Sequence, residues 1–378
     1  MIGDQPYTGD PALLRRINAV AVLRVMYAGD PLRLAQVVER TGLSRRTVEA
    51  VLDELACDGL VRETPAGRGT GTVGRPARSY QFRTDVGHVL AVEVRRRRTV
   101  CVLADLAGEV VAESSRPVAA TAERRERVGT VVAAARDALH RARVPKKRLR
   151  AVAVATPGVV RDGSDVTHCS ILPDWTGFSL RGELASFFSC PVHVENDVNL
   201  AAIGERWRGA CADVDTVVWV LVGRRARVAT IIDGTLYRGA GGAAGEIGWV
   251  PALGWSDVRD HALSFAGFEH TPESERAERT LAAAAHGDGA ALASVDALAG
   301  TLAQGLAAVV LALDPACLVI GGGPARAGDV LSTAVRRHLE PYCLRLPDVR
   351  TSVLGDEAVL TGGVRAALNE VESQLFAV

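Results

Sequence analysis

The chain has 378 residues, too many for one ordinary core and enough for two or three units of ~100–200 residues each. Its 44 Lys and Arg offset 44 Asp and Glu, 48% of its residues are hydrophobic and only 4% aromatic, which excludes a disordered polyelectrolyte and predicts an aliphatic globular core. No uninterrupted apolar run approaches ~20 residues and the N-terminus lacks a signal-peptide layout, so no membrane span is expected, and seven dispersed cysteines without a Cys-x-x-Cys pair fit free thiols in a cytoplasmic protein.

The spacing predicts a first helix over Leu13–Ala28, with Leu14, Ile17, Val20, Ala21 and Val25 on one face. Asp30 and Pro31 suit the start of a second helix carrying Leu34, Val37 and Val38, which breaks at Thr41-Gly42. Ser44 is the next N-cap, and Val48, Val51, Leu52 and Leu55 form an apolar stripe opposite Arg45, Arg46 and Glu49. A helix, a tight turn and a second helix with an exposed N-terminal end form a helix-turn-helix, whose second helix suits a DNA major groove. After Gly59, the segments Leu60–Glu63 and Ala77–Phe82 flank a glycine-rich stretch and read as the strands of a wing. Residues 1–83 carry twelve arginines against nine carboxylates, a modest surplus suited to phosphate contacts. Arg75, between Gly74 and Pro76, can enter a narrow minor groove or belong to a plain linker turn.

From residue 84 the pattern becomes strand-rich. Strands are expected at Val89–Val94, Val100–Asp105 and Val110–Glu113, then a helix at Glu123–Arg143 and strands at Leu149–Ala155 and Val192–Glu195. The second half repeats the plan. Strands at Thr216–Val222, Ala226–Ile232 and Thr235–Tyr237 precede a helix at Asp296–Leu313, and Cys317–Ile320 is a strand ending in three glycines. A helix at Ala327–Leu339, a strand at Thr351–Leu354 and a helix at Glu357–Glu370 complete it. The expected fold class is α/β, an actin-like (ribonuclease-H-like) double domain behind an N-terminal winged helix-turn-helix. The expected units are 1–83, 84–198 (completed by a C-terminal helix, 356–378) and 199–355.

On particular motifs the chain resembles the ROK family (repressors, open reading frames and kinases). They are Thr156-Pro157-Gly158, Leu172-Pro173-Asp174-Trp175, the run Glu195-Asn196-Asp197, Ile232-Asp233-Gly234-Thr235, Gly245-Glu246-Ile247-Gly248, and Asp314-Pro315 before the triple glycine. The resemblance implies that Asp197 stands where kinases of this family keep their general base, and that Asn196, Asp197 and Glu246 match sugar contacts. Asn196 and Asp197 also suit a helix cap, and Trp249 suits either stacking on a sugar or a place in the core.

The chain departs from the kinase pattern at both phosphate hairpins. Asp-x-Gly-Gly-Thr is replaced by Glu93-Val94-Arg95-Arg96-Arg97-Arg98-Thr99, and Gly-Thr-Gly-x-Gly by Gly223-Arg224-Arg225-Ala226-Arg227. The family's histidine becomes Trp249 and its zinc-binding cysteines are missing, since residues 250–290 hold none. A base without a phosphate grip has nothing to act on. The expectation is therefore a regulator without catalysis, metal or cofactor, with Asp197 a vestigial base.

Its expected partner is double-stranded operator DNA, bound as a homodimer that can pair into a tetramer. Ser44 and Thr47 are expected on phosphate, Arg45 and Arg46 on guanine edges, Glu49 on a cytosine amine and Arg75 in the minor groove. Arg95, Arg97, Arg224, Arg225 and Arg227 can splay into water by strand alternation or hold an anionic effector such as a sugar phosphate. A ligand-independent DNA-binding scaffold and a sugar kinase are the alternatives.

Overall fold

A computed structural model describes residues 10–27, 29–65, 78–223, 225–256, 258, 273–323 and 328–378. The N-terminal unit holds helices α1 (Pro11–Met26), α2 (Leu34–Thr41) and α3 (Arg45–Cys57) and strands β1 (Leu32–Arg33), β2 (Val61–Pro65) and β3 (Arg78–Phe82). Local chemistry sets the ends of its helices. Asp10 caps α1, Gly42 closes α2 in the left-handed conformation (φ 69°), and Ser44 Oγ accepts from the Thr47 N–H at 3.2 Å. The wing strands pair antiparallel in the register Val61↔Phe82 to Pro65↔Arg78.

Two expectations need correction here. Asp30 and Pro31 do not start α2: Leu32 and Arg33 first pair with Tyr80 and Ser79 as a short strand, and α2 begins at Leu34, where the Arg33 N–H donates to Gln36 Oε1. The first helix does not bury the expected face. Leu13, Leu14 and Ile17 are exposed because its first two turns project past the core, and burial begins with Val20, Val22, Leu23 and Met26.

Two five-stranded sheets form the body. The first contains β4 (His88–Val94), β5 (Arg98–Asp105), β6 (Val110–Pro117), β7 (Leu149–Thr156) and, after three short strands, β11 (Val192–Asn196), in the order β11-β7-β4-β5-β6. The short strands β8 (Val159–Arg161), β9 (Asp165–His168) and β10 (Phe178–Ser179) make a small sheet of their own, with no counterpart in the sequence reading. The second large sheet contains β12 (Val217–Val222), β13 (Ala226–Ile232), β14 (Thr235–Tyr237), β15 (Cys317–Gly322) and β16 (Asp348–Thr351), ordered β14-β13-β12-β15-β16. Each large sheet is an antiparallel meander continued by two parallel strands. The expected strand at Thr351–Leu354 ends at Thr351 instead, because Ser352 Oγ and the Leu354 N–H turn toward the buried Glu205 carboxylate.

The remaining helices are α4 (Arg124–Arg141), α5 (Leu180–Ala185), α6 (Asp197–Arg208), α7 (Glu273–Ala285), α8 (Gly289–Leu313), α9 (Asp329–Leu339) and α10 (Ala358–Leu375). One of them, the 25-residue α8, is long and apolar enough by length and composition to cross a membrane, although Ser294, Asp296, Thr301 and Gln304 interrupt its apolar run. Here it packs as a core helix, burying Val295, Leu298, Leu302, Leu306 and Val310 against β12, β13 and β15. α6 faces the second sheet through Val198, Ala201 and Ala202, and crosses α10 where Gly204 lies against the Ala358 carbonyl and Gly362 against the Leu200 carbonyl. A Cβ at either glycine would overlap backbone, so this crossing needs both. α10 covers the first sheet beside Ala91 and Ala153, and one continuous core runs from there into α1, α2 and α3.

Candidate nucleic-acid interface and interlobe cleft

The stripe Val48, Val51, Leu52 and Leu55 of α3 is buried, which turns the start of the helix outward. Ser44, Arg45 and Arg46 are exposed, and Thr47 and Glu49 half-exposed. Ser44 Oγ lies 2.8 Å from Thr47 Oγ1, and Arg45 Nε donates to Glu49 Oε1 at 3.0 Å. An exposed i, i+4 pair of this kind contributes a few tenths of a kcal/mol and opens readily. Arg46 has no carboxylate partner among the described residues. Arg75 lies outside them.

The cleft is built at the carboxyl end of β11. Asn196 caps α6: its Oδ1 accepts from the N–H groups of Val198 (2.8 Å) and Asn199 (3.3 Å), and its Nδ2 donates to the Gly158 carbonyl at 2.7 Å. That last bond ties the cap to the Thr156-Pro157-Gly158 turn. Asp197 follows at the first helical position and meets Arg227, on β13 of the other lobe, in a two-pronged pair. Nη1 donates to Oδ1 at 2.9 Å and Nη2 to Oδ2 at 3.2 Å. Both side chains are largely buried, at 13% and 18% exposed. Burial opposes the charge on Arg227, but Asp197 more than compensates and the guanidinium pKa is raised.

A second pair crosses the lobes beside the first. Arg238, just past β14, donates from Nε to Glu195 Oε2 at 2.6 Å, while Glu195 Oε1 accepts from the Asn196 N–H and from Asn199 Nδ2, both at 2.9 Å. Burial alone would raise the Glu195 pKa; His193, Arg238 and Asn199 outweigh it and hold the carboxyl down to about 2. Spacing gives no hint of this pair, since Arg238 is 43 residues from Glu195 in a different lobe. Its one signal is that both residues lie within or beside the motifs that carry the ROK resemblance.

The five arginines expected around an anion are not gathered into one site. Arg95 Nη2 donates to Glu93 Oε2 at 2.5 Å and reaches the Asp356 carbonyl, and Arg227 is committed to Asp197. Arg97 is exposed in the turn between β4 and β5, as are Arg96 and Arg98 beside it. Arg224 lies outside the described residues. Arg225 lies over the Trp249 ring, 4.5 Å from its centroid. The first arginine turn is held from behind by a residue with no expected role. Arg127, fully buried on α4, donates to the carbonyls of Arg95, Arg96, Ala119, Ala120 and Ala122 at 2.9–3.3 Å. Carbonyls facing an arginine take the place of amides free to face a phosphate.

Gly245 (φ 88°) and Gly248 press their loop onto the carbonyls of Val228 and Ala226, where a Cβ would overlap. This close approach sets Glu246 and Trp249 at the cleft, with Trp249 Nε1 donating to Glu246 Oε2 at 3.1 Å and the His168 ring against Trp249 at 4.9 Å. Between the lobes remains a cavity of about 230 Å³, lined among others by His168, Ser170, Arg225, Arg227, Glu246 and Trp249. It is smaller than the ~300–1,000 Å³ of most ligand pockets. Asn196 and Asp197 spend their polar atoms on the cap and on Arg227, and only Glu246 and Trp249 of the four expected ligand residues line the cavity. Among the described residues no His, Cys, Asp and Glu are grouped as metal ligands.

Comparison with known proteins places these features in a lineage. The family model described as "ROK family" matches residues 89–369. A putative xylose repressor of Caldicellulosiruptor sp. (strain Rt8B.4) is 23% identical over 96% of this chain and 98% of its own length. Among solved structures, a ROK family transcriptional regulator, described as a homologue of the E. coli MLC protein, superposes with a TM-score of 0.74 at 20% identity, covering 96% of this chain and 98% of that one. A glucokinase from Streptomyces griseus, solved with glucose and AMPPNP, superposes with a TM-score of 0.63 at 23% identity, covering 75% of this chain and all of its own.

Proposed function

Because the chain belongs to the ROK family, we propose that it is a DNA-binding transcriptional regulator of the repressor kind, with a kinase-type body that no longer transfers phosphate. One observation carries this reading: Asp197, matched to the family's general base, is held on both oxygens by the chain's own Arg227, while the polar face of α3 is left open to a partner. A carboxylate with both oxygens turned onto an arginine has neither one free to meet a substrate hydroxyl. The match in extent agrees, since the repressor relative spans nearly the whole chain, whereas the kinase structure covers three quarters of it.

In this reading a homodimer places each α3 in one major groove of a two-fold operator, with half-sites ~10 bp or a multiple apart. Arg46 reads a guanine edge, Arg45 and Glu49 exchange their mutual pair for base contacts, Ser44 and Thr47 hold phosphate, and Arg75 adds a minor-groove contact. Gel-shift titration tests this: Arg46→Ala relaxes sequence preference, and Ser44→Ala weakens all sequences alike. Equal loss on operator and random DNA for Arg46→Ala contradicts the assignment. Incubation with ATP, Mg²⁺ and a panel of hexoses is expected to release no ADP.

The cavity beside Trp249 suits an effector no larger than a sugar or sugar phosphate, with Arg225 the guanidinium free to take an anion once it leaves the ring. Such a ligand acts only through its different affinity for the open and closed lobes. The two interlobe pairs favour a second reading, a ligand-independent DNA-binding scaffold held closed by its own side chains. Thermal-shift titration with sugar phosphates and neutral sugars at low salt separates the two: stabilisation by one class supports an effector, and none by either supports the scaffold.

A further inference from the structure

We propose that the exposed loop from Arg141 to Arg150 is a second phosphate-binding surface, which grips DNA flanking the half-site read by α3. The stretch RARVPKKRLR carries six cations, Arg141, Arg143, Lys146, Lys147, Arg148 and Arg150, and no carboxylate. All six are exposed, and among the described residues none makes an ion pair. Elsewhere in this chain guanidinium groups are commonly matched with acids, as in Arg116–Asp137, Arg206–Asp215 and Arg350–Asp213. Cations at the end of α4 answer its helix dipole, which accounts for Arg141 and stops there. Six neighbouring positive charges set up a local positive field that attracts a polyanion.

Position names the polyanion. β7 begins at Leu149, paired with His88 at the start of β4, so the loop lies at the end of the first lobe that receives the chain from the wing. Arg148 Nη1 donates to the Asp85 carbonyl at 3.5 Å, and Arg150 packs on Gly87, where a Cβ would come within 2.7 Å of its Cγ. The Asp85 carboxylate is already taken by Arg83 at 3.0 Å. The loop therefore flanks the linker that follows β3. β3, five residues or about 17 Å long, leads back from that linker to its pairing with Leu32 and Arg33 beside the helix-turn-helix. DNA running on from the half-site brings one charge for every ~1.7 Å of its axis.

This inference rests on the reading of α3 as a DNA reader, and the test separates the two. The full chain, wild type and Arg143→Gln/Lys146→Gln/Lys147→Gln/Arg148→Gln, is titrated against one half-site duplex in a short form and in a form with long flanks, over a series of salt concentrations. The expected result is unchanged affinity on the short duplex and a loss on the order of ten- to hundred-fold on the flanked one, with the salt slope falling by ~0.9 for each contact removed. Lys146→Gln/Lys147→Gln, which spares Arg148 and its bond to the Asp85 carbonyl, is expected to show about half the change in slope. Equal affinity of variant and wild type for the flanked duplex overturns the proposal. So does an unchanged flanked duplex with lost binding to anionic vesicles or poly-glutamate, which assigns the loop to another polyanion. Absence of binding to either duplex by the wild type refutes the α3 reading itself.

Discussion

The β4–β5 turn and the β12–β13 turn occupy equivalent places in the two lobes, and both carry arginines where the kinase pattern has glycines. They are stabilised in different ways. In the first, Arg95 turns back onto Glu93 of its own sheet and reaches the Asp356 carbonyl just ahead of α10, and Arg127 holds the turn's carbonyls from below, so none of these contacts reaches the second sheet. In the second, Arg227 leaves its own sheet and grips Asp197 at the head of α6. The same substitution, arginine for glycine, made one turn a structural corner and the other an interlobe tie. Composition could not have distinguished them, because the difference lies in where each guanidinium finds an acceptor.

The largest effect is expected where the first turn is locked. Arg127→Met leaves five carbonyls without their donor, that of Ala122 buried and the others part-buried, and should lower unfolding free energy by about 3–5 kcal/mol in urea titration. A loss below ~1 kcal/mol would mean that the turn holds itself. Next comes the tie beside the second turn. Glu195 has a folded-state pKa of about 2, below its unfolded value, so its contribution is fully present above ~pH 4.5 and is lost as pH falls toward 2. The fall from 4.5 to about 2 corresponds to roughly 3 kcal/mol. Glu195→Gln should flatten stability against pH across that window, and an unchanged acid limb would contradict the assignment. The smallest effect is expected for Arg95→Gln. Burial already raises the Glu93 pKa against the pull of Arg95, so Glu93 can take up a proton when its partner goes, and the cost should be about 1 kcal/mol. A cost equal to that of Arg127→Met would erase the contrast between the inner and outer supports of that turn.

What could be read in the sequence was mostly what is decided locally. Ser44 and Gly42 mark helix ends through their own backbone neighbourhoods, and short valine-rich runs mark strands that a sheet buries on both faces. Pro31 misled because a two-residue strand pairing with Ser79 and Tyr80, nearly fifty residues away, overrode the local signal for a helix start. Asn196 and Asp197 stood out, but not the arginines that engage the cleft carboxylates, since Arg227 is 30 residues from Asp197 and approaches from the other sheet. Arg127 was hidden for a different reason. On an amphipathic helix an arginine reads as a solvated face, and only the carbonyls of two loops, 119–122 and 95–96, make its burial tolerable.

The direct test of the central claim, that Arg227 ties the lobes together through Asp197, is a double-mutant cycle on Arg227→Ala and Asp197→Ala measured by chemical unfolding. The account predicts that each single change costs about 2 kcal/mol and that the double change costs little more than either, a coupling of roughly 2 kcal/mol. Additive losses would show that the two side chains do not depend on each other, and would contradict it.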